Sequence, residues 1–237
     1  VVHYVECVFT INAPPCNGTL SKHYRNAHVP FTYFHLLLSY HVTKTKEVDG
    51  ETQKVVDFNS LIPMPETLNV VSGGCSDECI LIYLRDIFDT ATVDVKNEHL
   101  RIIRDYNIRQ IWGYKRVDLD KMPSSEELYG KIQRLVGIYG PEAKNPFGDN
   151  PVFTKGEDVI NYGKQIYENI RYYGCKDWYD WCVENWGTKW NSYSNEQDIM
   201  PNCVKLKFET AWDIPFNFYV KLYEANAPSD SAQVCDG

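Results

Sequence analysis

The feature that most constrains this chain is a change of hydrophobic period, made twice. Near Gly74 an alternating pattern gives way to a helical one, and after Trp186 it returns. Residues 3–12, HYVECVFTIN, place Val5, Cys7, Phe9 and Ile11 on one face, the signature of a strand. The run APPCNG (13–18) ends it, because proline has no N–H to give to a ladder. Residues 31–43 are a second extended segment. An Asp-Gly turn in VDGE (48–51) then leads into TQKVVDFNSLI (52–62), the best local hairpin signal in the chain, and PMPE (63–66) stops it. At the other end, CVKLKFETAW (203–212) is a strand, and a helix over about 214–225 takes Pro215 into its first turn.

Between these strands the spacing is helical. Ile80, Leu81, Leu84, Ile87 and Phe88 recur at 3.6 residues to about Thr90, with Asp77 and Glu78 in a first turn that favours acids. Residues 94–112 form a second helix with Leu100, Ile103 and Ile111 inward. In 122–140 a serine cap precedes Glu126-Glu127, then Leu128, Ile132, Leu135 and Val136 follow. Two further helices cover 156–173 and 175–185, parted near Gly174. The chain is therefore α+β, divided as 1–75, a helical insertion over 76–185, and 186–237.

Composition narrows the function. Of 237 residues, 43% are hydrophobic and 24% charged, enough apolar content for a sizeable core. The net charge of −8 argues against a protein whose main task is non-specific nucleic-acid binding, and favours a basic partner surface. No apolar run reaches the length of a membrane span; FTYFHLLLSYHV (31–42) is short and broken by His and Ser. The first residues, VVHYVECVFTINAPP, do not resemble a signal peptide, so a cytoplasmic location is expected. The eight cysteines show no zinc spacing with the histidines and are expected as buried free thiols, with no metal and no cofactor.

The nucleotide-binding, serine-hydrolase, zinc-protease and kinase motifs are all absent. VSGGCSDEC (71–79) comes nearest to a site. Its glycines could turn backbone N–H groups toward an anion, and a Cys75 thiol at a helix N-terminus would ionise more easily. An ordinary loop-to-helix connection explains the same residues. Glu126-Glu127 and Asp118 with Asp120 match a solvated face better than a metal site.

The aromatic residues, 14% of the chain, concentrate in NWGTKW (185–190) and FETAW (208–212). Gly187 supplies a conformation that other residues resist, while Trp186 and Trp190 bring large apolar areas to cover a sheet. Phe208 and Trp212 share a strand face. Trp186, Gly187, Trp190, Phe208 and Trp212 are thus expected to be structural, the tryptophans mainly buried. A base-stacking surface of the kind found in RRM domains is the competing reading of alternating aromatics. Lys205 and Lys207 share the other strand face, with Lys189 close in sequence: a basic stripe, or edge lysines that discourage aggregation. In DWYDWC (177–182), Trp178 and Trp181 lie three apart on a helix. Such a face is core more often than docking surface; as a docking surface, Trp178, Asp180 and Trp181 would be its anchors and acidic rim.

Three blocks together resemble a family. The strand ending FTINAP, the segment DFNSLIPMPETL (57–68) and the pair ENWGTKWN … LKFETAW are similar in order and spacing to the YubB-like, ferredoxin-fold proteins of bacteriophages and conjugative plasmids. The resemblance covers both ends of the chain and leaves 76–175 unmatched. It implies a ferredoxin-like β-α-β-β-α-β sheet carrying a large helical insertion. The family usually continues into a longer final strand or hairpin, whereas this chain ends VCDG. It carries no activity to transfer, but its setting on mobile elements suggests an accessory role. The expectation is a non-enzymatic protein in the cytoplasm of a bacterial host that binds a host protein or defence complex as an inhibitor, an anti-CRISPR or similar anti-defence role. The alternative is an RRM-like nucleic-acid-binding module, and a weaker one is a small hydrolase or nuclease.

Overall fold

A computed structural model describes residues 4–12, 43–48, 50–69, 75–111, 113–142, 151–200, 203–211 and 213–226. In chain order its principal elements are β1 (Tyr4–Asn12), β2 (Thr43–Val48), β3 (Glu51–Val56), α1 (Glu66–Asn69), α2 (Ser76–Thr90), α3 (Val93–Arg109), α4 (Ser125–Ile138), α5 (Gly156–Tyr173), α6 (Trp178–Asn185), β4 (Tyr193–Met200), β5 (Cys203–Ala211) and α7 (Phe216–Asn226). The fold is α+β. It divides into two compact units, residues 1–63 with 182–237, and residues 64–181.

The first unit is built on antiparallel strands from both ends of the chain. β5 lies between β1 and β4, while β2 and β3 form a separate hairpin. That hairpin turns at Gly50, whose φ of 81° is the left-handed conformation an Asp-Gly turn requires. β3 ends at Val56, and the chain then winds into a short 3-10 turn over Phe58–Ser60 capped by the Asp57 side chain. The expected strand to residue 62 is therefore cut short, because Asp57 offers its carboxylate to the Asn59 N–H at 3.3 Å. β4 carries no alternation of large apolar residues in YSNEQDIM, and pattern reading did not define it. It exists because β5 pairs with it along Glu196–Met200.

The core of this unit is aromatic. Phe58, Phe208 and Phe218 are buried, with Phe58 4.6 Å from Phe218 and 5.8 Å from Phe208 between ring centroids. Phe208 and Thr210 point inward from β5, and α7 covers them with Phe218 and Leu222, i and i+4 on one face.

The second unit is helical. α2 is its central element: Cys79, Ile80, Ile82 and Leu84 are fully buried and join Ile103, Leu135, Val159, Ile166 and Ile170 from three other helices. α4 begins with a capping box in which Ser124 and Glu127 satisfy each other's orphan donors. α5 ends at Gly174 with φ 73°, where a left-handed residue closes the last turn. α2 and α5 meet at Gly163, where a side-chain Cβ would stand 2.1 Å from the Cys79 carbonyl oxygen. Glycine is needed there for the two backbones to approach. Residues 3, 23, 28, 35 and 41 among the histidines, Gly73 and Gly74 of the proposed anion loop, the extended segment 31–42, Trp212 and the final residues 227–237 lie outside the described residues.

Candidate functional site

The NWGTKW segment is a lock between distant parts of the first unit. Trp186 is buried; its indole N–H donates to Ile62 O at 3.0 Å, and its ring meets Phe58 edge-on at 5.6 Å. Gly187 has φ 84°, and a Cβ there would stand 3.1 Å from Ile214 O. The Thr188 hydroxyl donates to Ala211 O at 2.6 Å. Asn191 Oδ1 accepts from Phe58 N at 2.9 Å, while its amide donates to the Asp57 carboxylate. Asn195 Oδ1 accepts from Val56 N at 2.8 Å, and Ser192 donates to Val56 O. Side chains here take the place of ladder bonds beside β3. Two sequence blocks that carried the family resemblance, DFNSLI and NWGTKWN, are therefore bonded to each other, and their joint occurrence has a structural cause.

Trp190 departs from the expected burial. It is 45% exposed, with the Lys189 ammonium 4.3 Å from its ring centroid. Trp186, and not Trp190, packs beside Phe58. The preceding residues pack against the Ile214–Asn217 stretch: Gly187 faces Ile214, and Asn217 donates to Glu184 O at 3.1 Å. That stretch exposes Ile214 at 46% and Phe216 at 68%, and Val220 one helical turn on at 38%. Asp213 and Glu184 are exposed beside these apolar groups. Phe216 and Val220, four apart on α7, thus present an exposed apolar helix face with the exposed Asp213 just before it, the composition of a protein-docking patch.

Within the basic stripe, Lys207 has an acidic neighbour. The strand register places Lys207 opposite Glu196 and Lys205 opposite Asp198. Lys207 Nζ lies 3.6 Å from Glu196, while the Lys205 side chain lies outside the described residues. Phe208, the aromatic a nucleobase would need, is buried under Phe218.

In the second unit the aromatic-acidic helix faces inward. Asp180 and Trp181 are buried and Trp178 is half-buried, so the proposed anchors and acidic rim belong to the interior rather than to a docking surface. The reason is polar. Asp180 accepts from the Tyr106 hydroxyl at 2.6 Å, and the buried Lys115 ammonium stands 3.8 Å away. Asp177 caps α6, accepting from Asp180 N at 2.9 Å. Burial, reinforced by the neighbouring Asp180 charge, pushes the Asp177 carboxyl up to about 6. Tyr106 is held well above the ordinary phenol value, first by burial and then by Asp180. Lys176 reaches outward to Asp77 at 2.7 Å. Removing either partner of a buried pair such as Lys115 and Asp180 would leave an uncompensated charge in the interior.

A second polar group was not visible in the sequence. His99 Nδ1 donates to Val95 O at 2.7 Å, which leaves Nε2 to accept the Tyr83 hydroxyl at 3.0 Å. Its ring stacks on Tyr167 at 4.2 Å. Burial, then the nearby Tyr167 and Glu168, pushes Tyr83 up to about 12. His99 and Tyr83 are sixteen residues apart, and no sequence period connects them. Among the described residues no three His, Cys, Asp or Glu side chains converge as metal ligands, and no helix is long and apolar enough to cross a membrane. Compared with protein-family models, curated proteins and solved structures, the chain matches none of them.

Proposed function

We propose that this chain is a non-enzymatic accessory protein of a phage or conjugative plasmid, acting by binding a host protein, as an inhibitor of a defence complex would. The carrying observation is the run of exposed apolar residues Ile214, Phe216 and Val220 in the first unit, with the exposed acid Asp213 beside it, together with the exposed Trp190 under Lys189 on the NWGTKW turn. Isolated exposed apolar residues mean little, but a cluster on one short stretch of chain marks an interaction surface. With a net charge of −8, such a face is drawn to a basic partner and repels phosphates. The ferredoxin-like architecture and the cytoplasm of a bacterial host are part of the same proposal. Strands from both chain ends in one antiparallel sheet support the architecture.

The RRM-like alternative is weakened by the burial of Phe208 and by the acids opposite Lys205 and Lys207. The hydrolase alternative is weakened because the Tyr106–Asp180 and Tyr83–His99 groups spend their polar atoms on one another. The test is capture from a bacterial lysate, with and without nuclease, beside salt titrations against single- and double-stranded nucleic acids. A protein retained after nuclease treatment supports the proposal. Tight nucleic-acid binding at physiological salt with no retained protein would replace it by the RRM-like reading.

A further inference from the structure

The end of α3 puts apolar side chains into solvent. Ile108 is 79% exposed and Ile111 89%, the two most exposed large apolar side chains among the described residues. Helical spacing places Ile111 inward, but α3 stops at Arg109 and the buried Gln110 caps it, so Ile111 lies past the last turn. Ile102, Ile103 and Tyr106 fill the buried face of the helix. Ile108 stands on the opposite face, with Arg104 four residues before it. The Asn107 side chain accepts from Val117 N at 2.8 Å and donates to Val117 O at 2.9 Å, which lays residues 115–117 along the same turn. Arg116 is exposed there between the buried Lys115 and Val117. From residue 101 to 116 the exposed charged side chains are Arg101, Arg104, Asp105, Arg109 and Arg116, four cations to one anion in a chain of net charge −8. Asp105 is engaged by Arg101 at 3.1 Å, while Arg104 and Arg116 pair with no acid among the described residues.

We propose that this part of the second unit, Ile108 and Ile111 with the unpaired Arg104 and Arg116, docks an acidic segment of a partner protein that carries bulky apolar side chains. The apolar side chains of the partner cover the isoleucines, which removes exposed aliphatic surface from water. Its carboxylates meet the guanidinium groups, whose fork of donors suits bidentate pairing with a carboxylate. Arginine beside apolar anchors is the composition that protein interfaces enrich. Nucleic acid matches the arginines but not the isoleucines: single-stranded bases are held by stacking on flat groups, and an aliphatic side chain offers none. The inference goes beyond the docking face at Phe216 and Val220. It concerns the other unit and a partner of the opposite charge.

The probe is a short dye-labelled peptide with leucines at helical spacing and glutamates between them, beside the same peptide with lysine for every glutamate. Each is titrated into the folded full chain by fluorescence anisotropy, and backbone amide NMR shifts locate the contact. The acidic peptide should bind, the basic one should not, and the shifts should centre on residues 101–117. Ile108→Ser and Arg104→Glu should each weaken binding by about tenfold or more. Both side chains are exposed, so the variants should melt with the wild type. The Trp190→Ala, Phe216→Ser double variant should bind the acidic peptide as the wild type does, which separates this site from the face on the first unit. No binding of the acidic peptide, equal binding of both peptides, or shifts elsewhere in the chain overturns the proposal. Tighter binding of a single-stranded RNA through the same residues overturns it in favour of a nucleic-acid site.

Discussion

Replacing Gly163 by alanine tests the packing of the helical unit at its closest point. In the middle of an exposed helix the change should stabilise, by about 1 kcal/mol, because alanine loses less conformational freedom. At Gly163 the new methyl would stand 2.1 Å from Cys79 O, 2.8 Å from Cys79 C and 2.7 Å from the Tyr83 Cβ. Two of these are backbone atoms of α2, which cannot rotate away. Relief needs the helices to part by about 1 Å, and overpacking of this kind costs about 1–3 kcal/mol or more. The net effect should be a loss of about 2 kcal/mol. Gly130 and Gly137, within α4, have nothing within 4 Å of an added Cβ and supply the control. Urea unfolding should show a lowered midpoint for Gly163→Ala and raised midpoints for Gly130→Ala and Gly137→Ala. If all three substitutions stabilise alike, α2 and α5 do not approach as described.

Asp177 sets a pH dependence. Its folded-state value is raised from 3.8 to about 6, so its contribution is fully present below about pH 4 and is lost as pH rises through about 6, worth about 3 kcal/mol in all. Asp177→Asn keeps an acceptor for Asp180 N and should stabilise the chain at pH 8 by up to about 3 kcal/mol but little at pH 4, as read by denaturant melts at both. Trp186→Ala should cost about 3–5 kcal/mol, since a buried ring and its bond to Ile62 O are removed, whereas Trp190→Ala should change the unfolding midpoint little. Ser124→Ala breaks the capping box of α4 and should cost about 1 kcal/mol in the same assay.

The helices were legible because their signals are local. The cap at Ser124, the glycine after Tyr173 and the apolar spacing in 76–90 fix α4, α5 and α2 within a few residues. β4 was not, since its sequence YSNEQDIM owes its extended state to pairing with β5 and not to its own pattern. The tryptophans divide for the same reason. Trp186 and Trp190 have similar neighbours in sequence, and only the tertiary position of Phe58 decides that the first is buried and the second exposed. The DWYDWC helix takes the more frequent of its two readings, that of core, at Trp181. Its aspartates look like a solvated rim, but Tyr106 and Lys115, far away in the chain, give Asp180 buried partners. The lysines of β5 could be weighed as a phosphate-binding stripe only until the register set acids opposite them.

The most direct test of the docking proposal is capture by the wild-type chain and by a Trp190→Ala, Phe216→Ser double variant from the same nuclease-treated bacterial lysate. Both side chains are exposed, so the variant should melt with the wild type. The proposal predicts one protein retained by the wild type, eluted by raised salt, and lost from the variant. Equal retention by a folded variant, or retention that disappears with nuclease, would contradict it.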